Sequence, residues 1–412
     1  MLDCQYLHDL YLRAGKWKGT GMDMRLKRLC SCICKGIVPA VLIVVLAVSA
    51  VGCSSKGEQG QGSKIVKIGF AGPLTGDNAL YGTSMRDAAL IAIDELNNSA
   101  EAKEAGYTFE LKAEDDAGDP KQAVNAANAL IADSGVVAVN GHFNSGCSVP
   151  ASSVYDKEDL AMITVSTNPA LTDTGLSVVN RITARDDSQG PFAAELVKKL
   201  GYERVSVVDD STTYGQGLAT EFVSSFKKDG GSVLSENRVQ PKDVDFSALV
   251  TKIKADKPQA VYYAGAHTEG ALFGKQLRAA GVNVPVIGGE MIYTPDYIKL
   301  GGDSTENDIA TALGLPIEKQ AKGPEFLEKY KKRYNKDPEA YDTYSYDSTM
   351  IIGQAVLKAK SKQRVAVKEA IRAIQYDGVT GKVSFDKKGD NAEQVISAYT
   401  VKNGAWTPLE AK

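Results

Sequence analysis

The chain has 412 residues, of which 43% are hydrophobic and 24% charged, with a formal net charge of −3. This balance contains no basic patch of the nucleic-acid-binding type, so composition argues against a nucleic-acid partner. The length is too great for one ordinary hydrophobic core and suits two lobes.

The N-terminal region has three parts that differ in composition. Residues 25–28 are rich in Arg and Lys, residues 37–51 form an uninterrupted apolar run, and small residues lead to Cys53. A polar segment rich in Gly, Ser and Gln follows directly. This order resembles a lipoprotein signal peptide, a family in which the chain is cut before the cysteine and the cysteine is then acylated.

The resemblance predicts a leader over residues 1–52, lipidation of Cys53 and a flexible linker over residues 53–64. A transmembrane anchor is the alternative, but an apolar run of about 15 residues is short for spanning a bilayer. A signal peptide could begin at Met24, because basic residues follow it directly. We therefore expect the first ~23 residues to be a mis-assigned start of the protein. The domain that follows is expected to work outside the cytoplasmic membrane, attached to it by lipid.

Cysteine usage limits how the exported domain is stabilised. Of six cysteines, only Cys147 follows Cys53. One thiol cannot form an intramolecular disulfide or a metal cluster, so we expect a buried free thiol and a domain held together by its core. The sequence predicts no metal site and no cofactor.

Strand-like and helix-like segments alternate along the rest of the chain. Asp119 is an apt N-cap before Pro120 at the first helical position. Strands are predicted at 65–71, 109–113, 136–140, 161–164, 204–209, 259–264 and 284–287, and helices at 84–98, 120–132, 215–228 and 269–280. In the first of these helices the apolar face comprises Met85, Ala89, Ala92, Ile93 and Leu96. The order predicts an α/β protein with two doubly wound, parallel-sheet lobes.

The chain is expected to cross between the lobes three times. We place these hinge crossings near residues 181–184 and 310–314 and at a strand pair formed by residues 382–385 and 394–401. The N-terminal lobe would then comprise 65–182 with 314–381, and the C-terminal lobe 183–313 with 382–412. A ligand is expected between the lobes, at the carboxyl ends of the strands.

A series of motifs carries a family resemblance over some 300 residues. In order, the chain resembles the branched-chain amino-acid-binding proteins of ABC transporters at residues 68–76, Tyr81-Gly82, 115–123, Gly141-His142, 188–191, 214–217, 261–265 and 288–290. The resemblance implies a type I periplasmic binding protein fold with a three-strand hinge. It also implies a monomer that captures a small neutral, branched-chain L-amino acid and delivers it to ABC permease subunits.

The resemblance assigns the amino acid's carboxylate to a loop before a predicted helix. Ser145 lies where backbone N–H groups and a hydroxyl can face an anion, and a plain helix N-cap is the alternative role. By resemblance, Thr167 gives its N–H to the carboxylate and its hydroxyl to the ammonium, while the carbonyl of Ser166 accepts from the ammonium.

The ammonium's counter-charge is assigned to Glu290. It follows an apolar strand and two glycines, which indicates an exposed turn that can approach a ligand closely. The alternative is a surface salt bridge, which contributes little stability. By resemblance, four aromatic residues line the side-chain pocket: Tyr81, Phe143, Tyr214 and Tyr341.

The chain departs from the family pattern at three positions. Gly118 and Asn144 stand where many relatives have a cysteine pair, and Ala266 stands where some have a tyrosine. His142 is predicted to be structural, and His267 is too isolated to propose as a base or metal ligand.

An enzyme is not expected, because the sequence has no phosphate-binding loop, dinucleotide fingerprint, nucleophile elbow or metal-ligand cluster. Two alternatives stay open: a ligand-sensing receptor subunit of the same fold, and a binding protein for another small amino acid or amide.

Overall fold

A computed structural model describes residues 64–409. The predicted leader, the lipidated Cys53 and most of the linker lie outside these residues. Within the described part, none of the helices combines the length and the apolar character that crossing a membrane requires.

The described chain contains fourteen strands, arranged in two large sheets and one small one. In chain order they are β1 (Lys64–Gly72), β2 (Tyr107–Asp115), β3 (Val136–Gly141), β4 (Ala161–Thr164), β5 (Val179–Arg181), β6 (Arg204–Asp209), β7 (Ser232–Arg238), β8 (Ala260–Ala264), β9 (Val286–Gly288), β10 (Ile309–Leu313), β11 (Tyr376–Asp377), β12 (Lys382–Val383), β13 (Ile396–Lys402) and β14 (Ala405–Pro408).

Thirteen α-helices and three short 3₁₀ turns are described between and beside these strands. The helices are α1 (Ala79–Asn98), α2 (Ala100–Ala105), α3 (Pro120–Ala132), α4 (Ser145–Asp156), α5 (Ala170–Asp173), α6 (Asp186–Lys199), α7 (Thr213–Lys228), α8 (Ser247–Asp256), α9 (His267–Ala279), α10 (Pro295–Gly301), α11 (Gly323–Tyr334), α12 (Asp342–Ala359) and α13 (Arg364–Arg372). The 3₁₀ turns are Glu290–Ile292, Gly302–Thr305 and Ile317–Lys319.

The first sheet is wholly parallel, in the order β2-β1-β3-β4-β5. Helices α1, α12 and α13 cover one face and α3 and α4 the other, so β3 is buried along its whole length. The predicted apolar face of α1 is confirmed, because all five of its residues are buried. The bounds predicted for α3 are also confirmed, and the Asp119 carboxylate caps it by accepting the N–H groups of Lys121 and Gln122.

The second sheet has the order β14-β13-β10-β9-β8-β6-β7. Helices α6 and α7 pack on one face, and α8, α9 and α10 pack on the other. The predicted parallel sheet is confirmed from β10 through β9, β8 and β6 to β7, and β13 adds an antiparallel edge because it runs antiparallel to both β10 and β14. The chain enters β13 on its return from the first lobe and turns back into β14 at Asn403 and Gly404, both of which have positive φ. These two strands therefore form an antiparallel edge of the sheet.

The third predicted crossing differs in detail from the structure. Strand β12 pairs with β11 in a separate two-stranded hairpin, and β13 joins the second sheet. The carboxylate of Asp347 accepts the backbone N–H groups of Val379 and Thr380 at 3.0 and 2.8 Å, which holds the turn of that hairpin. Phe385, in the first predicted region, makes a single bridge to Asn391, which precedes the second predicted region.

A buried ionic network links the first and third crossing segments. The guanidinium of Arg181 is fully buried and donates from Nε to Asp390 at 2.8 Å. Arg185 donates from Nη1 to the other oxygen of Asp390 at 2.6 Å. Pairing with these two arginines holds the pKa of Asp390 below its ordinary value, although burial opposes the shift. The network fixes the segment from which both lobes depart.

Candidate functional site

A cavity of about 380 Å³ lies at the carboxyl ends of the strands of both large sheets. Loops after β3 and β4 form one side, and loops after β6, β8 and β9 form the other. Seven of the eight predicted ligand residues line it: Phe143, Ser145, Ser166, Thr167, Tyr214, Glu290 and Tyr341. Its volume falls in the range typical of small-molecule sites.

Ser145 is the first residue of α4 rather than its N-cap, which is Asn144. The Ser145 hydroxyl is buried and accepts the backbone N–H of Asn168 at 3.4 Å. The N–H groups of a helix's first turn have no partner within the helix, and the helix dipole favours negative charge there. This end of the cavity therefore suits an anion such as a carboxylate.

The loop after β4 presents Thr167 to the cavity. Its side-chain oxygen is buried, and its O–H faces the carboxylate of Asp186. A hydroxyl that donates to a neighbouring carboxylate still has lone pairs that can accept from a cation. The Thr167 oxygen is therefore suited to an ammonium group.

The carbonyl of Ser166 is already engaged by the protein. It accepts from Nη1 of the buried Arg181 at 2.6 Å. The Ser166 hydroxyl in turn donates to the carbonyl oxygen of Phe143 at 2.9 Å. The bond from Arg181 occupies one of the two lone pairs of the Ser166 carbonyl, and the role assigned to Ser166 stays a prediction.

Glu290 lies in the 3₁₀ turn after β9 and is only 5% exposed, so the predicted exposed turn is wrong. The Oε2 atom accepts from Tyr214 Oη and Gln189 Nε2, each at 2.8 Å, and the Oε1 atom accepts from Tyr341 Oη at 3.2 Å. Burial raises the pKa of Glu290 to about 7. Three neutral donors hold the carboxylate in place, and none of them neutralises its charge.

Gly289, which directly precedes Glu290, lies close to side chains of α7. A Cβ atom on Gly289 would lie 2.3 Å from the Tyr214 hydroxyl and 2.6 Å from Cδ2 of Leu218. Only glycine therefore lets this turn pack against α7 while Tyr214 binds Glu290.

Asp186 is a functional candidate that the sequence reasoning missed. It is fully buried at the start of α6, its backbone N–H donates to the carbonyl of Thr167 at 3.0 Å, and its carboxylate faces the Thr167 hydroxyl. Burial and the nearby Glu290 raise the pKa of Asp186 well above its ordinary value. An acid in the first turn of a helix is unremarkable in a sequence, and only the fold brings this one beside Thr167 and Glu290.

The aromatic residues form a stacked group around the cavity. Phe143 packs edge-on against Tyr341, with ring centroids 4.9 Å apart. Tyr81 is not among the residues that line the cavity, contrary to the prediction. Its ring stacks behind Phe143 at 5.1 Å, and its hydroxyl donates to the carbonyl of Met291 at 3.2 Å. The motif placed Tyr81 near the site but did not distinguish the inner wall from the layer behind it.

Direct hydrogen bonds join the two sides of the cavity. The side chain of Asn168 donates to the carbonyl of Thr213 at 2.8 Å. At the mouth, the ammonium of Lys242 lies 3.5 Å from the carboxylate of Asp77. Together with the Tyr81–Met291 and Tyr341–Glu290 contacts, these bonds show the two sides drawn together around the cavity.

Three further residues that the sequence singled out, His142, His267 and Cys147, are packed against other protein groups. His142 is fully buried between Asp116, at 2.6 Å, and the Tyr155 hydroxyl, at 2.9 Å. His267 lies edge-on to Tyr81, and burial lowers its pKa. Cys147 is a buried free thiol, and burial raises its pKa. In the described chain no three His, Cys, Asp or Glu side chains are placed to hold a metal ion together.

Two α/β lobes that enclose a polar-ended cavity at their strand ends define the class of two-lobed solute-binding proteins. The chain belongs to the periplasmic binding protein family, whose model matches residues 65–405. The fold is that of type I periplasmic binding proteins, as the solved structures below show.

Curated relatives share about a third of their residues with this chain. A leucine-, isoleucine-, valine-, threonine- and alanine-binding protein of Pseudomonas aeruginosa is 34% identical over 328 residues, which are 79% of this chain and 87% of the relative. The Leu/Ile/Val-binding protein BraC3 of Rhizobium johnstonii is 33% identical over 356 residues, covering 84% of this chain and 94% of the relative.

Two solved structures extend the comparison to three dimensions. The leucine-binding protein LivK of Thermotoga maritima superposes with a TM-score of 0.77 at 29% identity and covers 84% of this chain and 98% of its own. The branched-chain amino acid transporter substrate-binding protein LivJ of Streptococcus pneumoniae, in complex with isoleucine, has a TM-score of 0.75 at 26% identity and covers 83% and 98%.

Proposed function

We propose that this protein captures a neutral, branched-chain L-amino acid outside the cytoplasmic membrane and delivers it to an ABC importer, without catalysing a reaction. The observation that carries the proposal is one cavity with a carboxylate-binding end at Ser145 and a buried negative end at Glu290. An α-amino acid presents the complementary pair of charges. The named specificities of the relatives support the same class of ligand.

The carboxylate of the amino acid would bind at the start of α4, to the first backbone N–H groups and the Ser145 hydroxyl. The ammonium would lie at the Thr167 hydroxyl and the Glu290 carboxylate, both of which line the cavity. Asp186 does not line the cavity and would act as a positioning residue: its negative charge favours the cation, and its carboxylate is placed to accept the Thr167 O–H. The hydroxyl oxygen of Thr167 would then face the ammonium.

The side chain of the amino acid would contact Phe143, Tyr341 and the ring of Tyr214. Burying a leucine, isoleucine or valine side chain against these rings contributes roughly 1.5–3 kcal/mol. An acidic side chain would be buried beside the carboxylates of Asp210 and Glu269, which also line the cavity, and would be rejected. Ala266 also lines the cavity, in place of a larger ring, and leaves room for the larger members of the class.

Delivery would depend on the lipid anchor and on the closed pair of lobes. Cys53, outside the described residues, would carry the lipid that retains the protein at the membrane, and the closed pair of lobes would dock on the permease as a monomer. The hydrogen bonds across the cavity support a closed, ligand-retaining arrangement. A receptor subunit of the same fold would bind the same ligands and would differ only in its partner.

Thermal denaturation with a panel of free amino acids tests the proposal. We expect leucine, isoleucine and valine to raise Tm in a concentration-dependent manner, because a ligand that binds only the folded state stabilises it. Glutamate and aspartate should leave Tm unchanged, because their side-chain carboxylates would face Asp210 and Glu269. Stabilisation by a charged amino acid and by none of the branched-chain set would refute the ligand class.

A further inference from the structure

A second cavity, of about 560 Å³, lies on the other side of the contact between Glu290 and Tyr341. These two residues line both cavities, and the hydroxyl of Tyr341 donates to Oε1 of Glu290 at 3.2 Å. The second cavity is otherwise built from different segments, within residues 293–299, 312–320, 338–344 and 399–406.

The wall of this second cavity is largely aromatic and aliphatic. The rings of Tyr293 and Tyr399 stack with centroids 4.2 Å apart, and Trp406 lies 5.5 Å from Tyr293. Ile298 and Leu313 complete the apolar lining. Aromatic faces such as these bind apolar groups and also attract cations.

The polar groups on the lining are mainly acceptors. Glu318 and Glu339 contribute carboxylates, and burial together with the nearby Asp296 raises the pKa of Glu339. Gln320 is only 8% exposed, and its Oε1 atom has no hydrogen-bond partner in the described chain. The lining holds one cation, Lys299, whose side chain is 82% exposed and 3.8 Å from Asp296.

We propose that the second cavity binds a small arylalkyl amine. The apolar body of the amine contacts Tyr293, Tyr399 and Trp406, Glu339 supplies the counter-charge, and Gln320 supplies an acceptor for an N–H group. An α-amino acid is disfavoured here, because its carboxylate would face the carboxylates of Glu318 and Glu339 with no buried cation to balance it. The two cavities therefore select different chemistry.

Calorimetric titration of the full chain with 2-phenylethylamine tests this site. We expect one equivalent to bind, both in the ligand-free protein and with leucine at saturation, and 3-phenylpropionate, which carries the opposite charge, not to bind. Glu339→Gln should weaken amine binding at least tenfold, while the matched variant Glu328→Gln, on the exposed face of α11, should leave it unchanged.

A second variant guards against a folding artefact. Leu315 lines the same cavity at its rim and is 48% exposed, so Leu315→Arg adds a cation there without disturbing the core, and it should abolish amine binding. Displacement of the amine by leucine, equal affinity for the anionic analogue, or unchanged affinity in both Glu339→Gln and Leu315→Arg would overturn the proposal. Because the amine is also titrated without leucine, the result stands apart from the assignment of the first cavity.

Discussion

Replacing Glu290 by glutamine removes the charge proposed to balance the ligand ammonium and leaves the size of the side chain unchanged. The carboxylate is only 5% exposed, so its interaction with an ammonium is weakly screened by water. A hydrogen bond to a charged group contributes about 1.5–3 kcal/mol. Since 1.4 kcal/mol is a factor of ten, the Kd for leucine should rise about 10- to 150-fold.

The hydrogen bonds around Glu290 can be satisfied by a glutamine as well as by a glutamate. Gln189 Nε2, Tyr214 Oη and Tyr341 Oη all donate to the carboxylate. A glutamine has one acceptor oxygen, so its amide group must face at least one of these donors. The Tyr341 hydroxyl can accept as well as donate, so the glutamine amide can donate to it while the amide oxygen keeps the bonds to Gln189 and Tyr214. The variant therefore loses the charge and keeps its protein contacts.

Isothermal titration calorimetry with leucine at pH 8 measures the effect. The matched control is Glu269→Gln, because Glu269 is also 5% exposed and lines the same cavity, but its Oε1 atom already accepts the backbone N–H of Lys242. We expect this control to change Kd less than threefold, or by less than about 0.7 kcal/mol. A folded Glu290→Gln variant with wild-type affinity would refute the role assigned to Glu290.

Three further predictions follow from burial, close packing and the leader. Burial raises the pKa of Glu290 to about 7, and the ammonium binds the ionised form of this side chain. The Kd for leucine should therefore fall by up to tenfold per pH unit as the pH rises toward 7 and should be constant above it. A Kd that calorimetry finds independent of pH would contradict this. Gly289→Ala should weaken leucine binding by about 1–3 kcal/mol, because the added Cβ would clash with its neighbours. The control Gly274→Ala should leave binding unchanged, since no atom lies closer than 3.7 Å to the added Cβ. Equal affinities of the two variants for leucine would contradict the packing argument. Cys53→Ser should remove the lipid mass and leave the leader uncleaved or the protein mislocalised, unlike Cys147→Ser, and a lipid-bearing Cys53→Ser protein would exclude this anchor.

Much of the site could be predicted because its residues stand at strand ends. Ser145, Thr167 and Glu290 each follow a predicted strand, and parallel strands bring their carboxyl ends to one edge of a sheet. The structure places all three on one cavity, although Glu290 is 145 residues from Ser145 in the sequence. The fold class was predictable for the same reason, since each strand–helix unit is a local pattern.

Other features depend on contacts that a sequence does not contain. The engagement of the Ser166 carbonyl requires Arg181 to be buried beside it, and the depth of Glu290 depends on α7 packing against Gly289. Asp186 has the sequence signature of an ordinary first-turn acid and gains significance only because the fold buries its carboxylate beside Thr167 and Glu290. These are properties of tertiary packing, which local patterns do not determine.

The most direct test of the account is a crystal structure of the protein grown with leucine. The account predicts one leucine in the cavity of about 380 Å³, with its carboxylate at Ser145 and the start of α4 and its ammonium within hydrogen-bond distance of Thr167 Oγ1 and Glu290. Leucine bound in the reverse orientation, or leucine absent from this cavity at saturating concentration, would contradict it.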